Sequence, residues 1–308
     1  MVSQIQRSGG SMFAQLFDNH PQFCAHPFEI HMGYPEKWDW IDFSLKESFE
    51  NWFEKLYEIK LDHFTEIGGY KKPGNNQFAK NELLPFDYSK DYHKSVFLEH
   101  LRSMPNLNNR DVFDAYFDGF FRSWKNDTSE NPKYITGFAP RLNMYKDNAE
   151  RMLRDYPDGF MITLARHPVS WFASWIYQDK RFEENAEQSF RQLESDWLLS
   201  LKRSVELKSK FPKQIISLTY EQVVRNPERV MKYIANVVGI DYSPSLLIPS
   251  YAGLDVYPNS SFDEANKGVI DRSKERIESV DPSYIELINQ KMLPAYDIYK
   301  SLVDIDQS

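Results

Sequence analysis

The chain has 308 residues, 41% hydrophobic and 27% charged, an ordinary globular composition with enough length to bury roughly three quarters of its extended surface. A net charge of −8 and a pI near 5.5 argue against nucleic acid or an anionic membrane as partner, because either needs a basic face. The single cysteine, Cys24, rules out an intrachain disulfide, and no apolar run is long enough for a signal peptide or a membrane span, so the expected compartment is the cytoplasm.

In chain order the pattern alternates. Residues 2–6 read as a short strand and 11–18 as a helix, with Met12, Phe13, Leu16 and Phe17 on helical spacing before Asn19-His20-Pro21 stops it. Residues 23–25 begin a buried strand, in which Cys24 is a packing residue rather than a nucleophile. From 34 to 133 the alternation loosens. Helices are expected at 45–59, 92–102 and 110–124, and a Gly/Asn/Pro-rich loop at 68–76. This stretch is aromatic-rich and reads as a helical insertion on the acceptor side, with a buried core. Strands at 134–138, 160–165 and 214–218 then alternate with helices at 145–155, 169–177, 184–210 and 227–238, and a last helix is expected over 282–302. Such alternation specifies an α/β fold: a mainly parallel central sheet with helices on both faces, here in one domain over 1–308.

The strongest local feature is Gln6-Arg7-Ser8-Gly9-Gly10-Ser11-Met12, between a strand and a helix. Glycines allow a tight turn that exposes consecutive N–H groups, a helix start adds partial positive charge, and Arg7, Ser8 and Ser11 add a permanent charge and two hydroxyls. Together these make an anion cradle. The Gly-Lys-Ser/Thr of nucleotide kinases is absent, which weakens a Mg-ATP reading.

Arg7-Ser8-Gly9-Gly10-Ser11, followed by a helix and His20-Pro21, resembles the opening motif of sulfotransferases that use 3′-phosphoadenosine 5′-phosphosulfate (PAPS), in particular the tyrosylprotein and bacterial carbohydrate branches. Gln6 stands where the family has proline, and Gly10-Ser11 where it has Thr-Thr. A second match is Arg166-His167-Pro168 with Ser174 eight residues on, similar to the family's 3′-phosphate site; an arginine fork and a helix hydroxyl suit a phosphate. A third is Leu218-Thr219-Tyr220-Glu221, which places Tyr220 at a nucleotide contact and Glu221 at a local turn. A fourth, Pro258-Asn259-Ser260-Ser261-Phe262 with Lys267 and Arg276, resembles the region that closes over the nucleotide. Lys267 there is either a phosphate partner or a solvated lysine.

The resemblance implies a P-loop-type three-layer fold and metal-independent, in-line sulfuryl transfer from PAPS to a hydroxyl or amine, with a small-molecule or carbohydrate acceptor. It makes Arg7 the leaving-group contact, and Arg7, Ser8, Gly9, Gly10, Ser11, Met12, Arg166, Ser174, Tyr220 and Lys267 the cofactor set. Glu29 is the favoured general base, with His26 and His31 as alternatives. Arg141, where many relatives carry Lys-Thr-Pro, either contacts sulfate or an anionic acceptor or sits in a structural ion pair. The competing readings are a phosphotransferase on the same sheet and a non-catalytic nucleotide- or sugar-binding homologue.

Overall fold

The computed structural model describes the chain apart from residues 31–38, 44–45, 58–60, 63–64, 66–85, 126–131, 146, 178–181, 183–184, 257–267, 272, 304 and 306–308. Five strands form one parallel sheet: β1 (Val2–Ser3), β2 (Phe23–Glu29), β3 (Tyr134–Phe138), β4 (Met161–Ala165) and β5 (Ile215–Thr219), in the order β2-β3-β1-β4-β5. The strands are near-continuous apolar runs because both faces are covered; every residue of β4 and β5 is buried.

The connections decide where a ligand fits. From β1 the chain passes through α1 (Gly10–Gln15) to β2 at one edge of the sheet. From β4 it passes through α6 (Pro168–Ile176) and α7 (Ala186–Lys210) to β5 at the other edge. Neighbouring strands β1 and β4 thus send their helices in opposite directions, and a crevice opens beyond their carboxyl ends, the usual ligand position in such sheets.

Between β2 and β3 lie α2 (Phe49–Leu56), α3 (Lys90–Ser103) and α4 (Asn109–Ser123). Their aromatic side chains form a buried cluster, as expected of that stretch; Trp40 stacks on Phe113 with ring centroids 4.0 Å apart. A second cluster joins α1, α6 and α7 to the sheet through Phe13, Trp171 and Trp197. The remaining helices are α5 (Asn148–Asp155), α8 (Tyr220–Arg225), α9 (Pro227–Val238), α10 (Ser273–Ile277), α11 (Pro282–Lys291) and α12 (Leu293–Lys300), with a small hairpin of β6 (Ser250–Tyr251) and β7 (Leu254–Asp255).

Several boundaries differ from the sequence expectation. The first strand ends at Ser3, because the chain turns there into the loop that reaches Gly9. The second runs on to Glu29 and carries His26 within it, with a register irregularity between Ala25 and Glu29. Pro27, which cannot donate to the ladder, sits in that irregularity. The helix expected from 145 starts at Asn148, after a turn in which Arg141 has a φ of 62°. The final helix is two helices that meet at Met292, because Pro294 lacks the N–H that a continuous helix needs. The loop at 68–76 lies outside the described residues. Among the described residues no helix is long and apolar enough to cross a membrane.

Candidate active site

The loop after β1 has an unusual backbone. Arg7 has a φ of 69°, left-handed for a residue with a side chain, and Gly9 has a φ of 88°. At Gly9 a β-carbon would lie 2.7 Å from the Tyr220 ring, so glycine is needed for space as well as for conformation. Gly10 packs under Gln4 and Phe138: an added β-carbon would lie 1.8 Å from Gln4 Nε2. The Gln4 side chain therefore fills the room that a threonine at position 10 would occupy. Two contacts pin the loop: Trp171 Nε1 donates to the Gln6 carbonyl at 2.8 Å, and Arg141 Nε donates to Gln6 Oε1. Ser8 is fully buried, and its hydroxyl has no hydrogen-bond partner. A buried hydroxyl without a partner is costly, which makes it a donor waiting for an acceptor. Ser11 and Met12 are half-buried on the first turn of α1.

Across the crevice three arginines converge. Arg7 Nε and Nη2 lie 3.3 and 3.2 Å from Ser174 Oγ, and Arg276 Nη1 lies 2.9 Å from the same oxygen. Three N–H donors thus aim at one neutral hydroxyl, which has two lone pairs to offer. Arg166, buried at the end of β4, donates to the Arg7 carbonyl at 3.0 Å, to Ser170 Oγ at 3.1 Å and to Ser273 Oγ at 2.8 Å. Each of these acceptors of Arg166 is neutral. Its guanidinium also lies 4.3 Å over the Tyr220 ring, so the stack that a tyrosine provides is directed at the arginine. Burial, with Arg276 and Arg166 close by, lowers the Arg7 pKa to about 10. Burial and Arg166 lower that of Arg276 as well. Like charges held together in a desolvated crevice mark a place that favours an anion.

The sequence-derived site residues are distributed as follows. Arg7, Ser8, Gly9, Arg166, Ser174 and Tyr220 come together at the crevice. Ser11 lies toward β2, where it shares a small cavity of about 30 Å³ with Asp18, His26 and Glu29. Glu29 is half-buried at the end of β2, and His26 is buried, with Nδ1 3.0 Å from the Phe28 carbonyl and the ring 4.7 Å from Phe120. Arg141 makes an ion pair with Asp196 at 3.4 Å and a hydrogen bond to Tyr145 at 2.8 Å. It also borders a cleft of about 410 Å³ with Trp175, Phe182, Gln188, Gln192 and Asp196. Lys267 and His31 lie outside the described residues.

Sequence reasoning passed over Ser170 and Ser273, and grouped Arg276 only with a region. The signal for Ser170 was its place one turn into α6 after Arg166, where Glu221 holds both the His167 N–H (3.0 Å) and the Ser170 hydroxyl (3.4 Å). Glu221 acts on the local turn, as its position suggested. Ser273 and Arg276 lie on α10, more than 260 residues from the loop after β1, and only folding brings them to it.

A model of the sulfotransferase family matches residues 5–244. No curated protein matches the sequence. Among solved structures, the sulfotransferase domain from the curacin biosynthetic pathway aligns with a TM-score of 0.57 and 16% identity, over 94% of this chain and 95% of that one. The sulfotransferase domain of the Synechococcus olefin synthase aligns at 0.54 and 16%, over 97% and 92%. A sulfotransferase from Alicyclobacillus acidocaldarius aligns at 0.50 and 15%, over 98% and 95%. At these identities the structures speak for the fold, and the family match carries the assignment. The match runs through Arg7, Arg166, Ser174 and Tyr220, and the chain belongs to the sulfotransferase family.

Proposed function

We propose that this protein transfers a sulfuryl group from PAPS to a hydroxyl or amine of a carbohydrate or small-molecule acceptor, in the cytoplasm and without a metal ion. The observation that carries this reading is the convergence of Arg7 and Arg276 on Ser174, where three N–H donors share one neutral oxygen, with Arg166 fastened beside them to the Arg7 carbonyl. The residues present suit PAPS. Ser8 offers a buried hydroxyl that has no partner, and the loop at Gly9 leaves no room for a side chain beneath Tyr220. The Gln6 and Gly10 departures are absorbed by the Trp171 and Arg141 contacts and by the Gln4 side chain.

When bound, PAPS supplies a sulfuryl group already activated on a phosphate leaving group. The chain's own residues do the rest. Arg166, Arg276, Ser170 and Ser174 hold the 3′-phosphate with charge-assisted hydrogen bonds. Ser8 and the loop N–H groups orient the phosphosulfate end. Arg7 neutralises charge on the leaving oxygen, the largest electrostatic demand of such a transfer. Tyr220 keeps the Arg166 plane in position. Glu29 accepts the acceptor proton, with His26 in the same small cavity as the alternative base. The cleft beside Arg141 presents Trp175 and Phe182 with two amides, Gln188 and Gln192, and one carboxylate, Asp196, which suits a polyhydroxyl acceptor.

The test is calorimetric titration with adenosine 3′,5′-bisphosphate in EDTA, beside Arg7→Ala and Arg166→Ala. Metal-independent micromolar binding that both variants lose, followed by labelled sulfuryl transfer from PAPS, is the expected result. Mg-dependent ATP turnover without bisphosphate binding would favour a phosphotransferase. Bisphosphate binding with no transfer to any acceptor would favour a non-catalytic homologue.

A further inference from the structure

Gln4 carries a primary amide into the interior at the head of the phosphate loop. Its side chain is 2% exposed, and neither Nε2 nor Oε1 has a hydrogen-bond partner. Among the described residues no other side chain leaves two buried polar atoms in that state. The main chain there is fixed, because the Gln4 carbonyl accepts the Arg141 N–H at 3.1 Å. A buried amide without partners costs stability, so its presence calls for a reason outside folding. The buried Ser8 hydroxyl, also without a partner, belongs to the same loop.

The position of the amide supplies that reason. In loops that join a strand to a helix around a phosphate, the residue after the last loop glycine sends its side chain toward the terminal phosphates. That residue here is Gly10, which has no side chain to send. A β-carbon built on Gly10 would lie 1.8 Å from Gln4 Nε2, so the amide nitrogen stands where such a side chain would begin. The edge of the Phe138 ring lies 2.5 Å from the same point, and Phe138 borders the small cavity that Ser11 and Glu29 share. Gln4 thus reaches the place where the loop meets the cavity of the proposed base.

We propose that Gln4 binds the group that is transferred: its Nε2–H groups donate to the sulfuryl oxygens of PAPS, from the place that a side chain at residue 10 would otherwise hold. This role rests on the PAPS reading above and adds to it a contact specific to the sulfuryl end. On binding, the amide turns about its side-chain torsions past Gly10, which sets no side chain in its way. In the transfer the bond from sulfur to the phosphate oxygen breaks, a bond from sulfur to the acceptor oxygen or nitrogen forms, and the acceptor proton passes to Glu29. Gln4 exchanges neither atoms nor electrons; it holds the sulfuryl oxygens in line for attack. A neutral amide does so without adding a fourth cation to a crevice that already holds Arg7, Arg166 and Arg276.

The test is calorimetric titration with PAPS and with adenosine 3′,5′-bisphosphate, which lacks the sulfuryl group, on the wild-type protein, Gln4→Met and Gln4→Glu. Methionine keeps the length of the side chain without the amide, and glutamate sets a carboxylate against the sulfate. Gln4→Met is expected to bind PAPS about tenfold more weakly and the bisphosphate within about threefold of wild type. Its melting temperature is expected to rise, because a buried amide without partners is gone. Gln4→Glu is expected to weaken PAPS binding by about 100-fold, again with a smaller effect on the bisphosphate. An unchanged ratio of the two affinities in both variants, with wild-type binding intact, would overturn the role of Gln4 and leave the cofactor reading standing. Wild-type protein that binds neither ligand would overturn both. Should Gln4→Met melt below wild type, the affinity ratio in Gln4→Glu decides.

Discussion

Arg166 Nη1 donates to the backbone carbonyl of Arg7 at 3.0 Å, and so fastens the loop after β1 to the end of β4. The bond spans the crevice between two strands whose helices leave in opposite directions. It also holds Arg7 in its left-handed backbone conformation, which costs of order 1 kcal/mol or more and needs such a restraint. One guanidinium thus shapes the loop and lines the crevice. Lysine keeps the charge but not the fork, and cannot bond Arg7, Ser170 and Ser273 together. Arg166→Lys is therefore expected to weaken adenosine 3′,5′-bisphosphate binding by about 100-fold, read by calorimetry.

Arg276 contributes charge to a crevice that already holds two guanidinium groups. Burial and the neighbouring Arg166 depress its pKa, and Arg7 is lowered to about 10 for the same kind of reason. A cation whose folded-state pKa is depressed opposes folding at every pH where it stays charged. Arg276→Gln should raise the melting temperature of the ligand-free protein by a few degrees and weaken bisphosphate binding about tenfold or more. A variant that loses both stability and binding would show Arg276 to be chiefly a structural residue.

Gly9 combines a φ of 88° with a Tyr220 ring 2.7 Å from where a β-carbon would stand. Gly9→Ala should cost about 1–3 kcal/mol in urea unfolding. It should also push Tyr220 from beneath Arg166 and so weaken bisphosphate binding. Gly268→Ala separates the clash from the backbone strain, because its φ is also positive, at 108°, while a β-carbon there meets nothing within 4 Å.

Glu29 and His26 border one cavity, and kinetics can separate them. Glu29→Gln removes the proposed base and should lower kcat about 100-fold or more with little change in bisphosphate binding. His26 is embedded against Phe120, so His26→Ala should reduce stability more than it reduces turnover per folded molecule. Full turnover in Glu29→Gln together with its loss in His26→Ala would reverse the two assignments.

His93 is fully buried between Tyr88 and Tyr116. The Tyr88 hydroxyl donates to Nδ1 at 2.7 Å, and Nε2–H donates to the Tyr116 carbonyl at 2.7 Å. The bond at Nδ1 requires the neutral ring, and burial lowers its pKa from 6.5 to about 3. The unfolded chain therefore takes up a proton that the folded chain refuses. Stability from this residue is complete above pH 6.5 and declines as pH falls from there toward about 3. Urea unfolding between pH 4 and 7 should show a slope that becomes shallower by about one proton in His93→Gln.

The helix boundaries show where sequence signals have physical force. Residues 134–138 and 227–238 fold as read, because a short run rich in β-branched and aromatic residues and an amphipathic stripe opened by Pro227 specify themselves locally. The expected helix over 282–302 passed over Pro294, although the missing N–H is visible in the sequence. The extent of β2 was harder to read. The His26-Pro27 pair looks like a stop, and only pairing with β3 through an irregular register carries the strand on to Glu29.

At the site, the parts whose chemistry is local were legible in the chain alone. These are a glycine loop after a strand, an arginine eight residues before a serine, and a tyrosine at the start of a helix, each carrying its spacing in the chain. The tertiary structure decided what depends on long-range geometry. It brought Ser273 and Arg276 of α10 to Arg166 and Ser174, turned Arg141 toward Asp196 and Gln6, and placed Glu29 beside His26. The reason is that a phosphate-sized anion is gripped by donors that each lie within about 3 Å of its oxygens. The crossovers of a parallel sheet collect such donors from strand ends far apart in sequence, and no local pattern records which of them will meet.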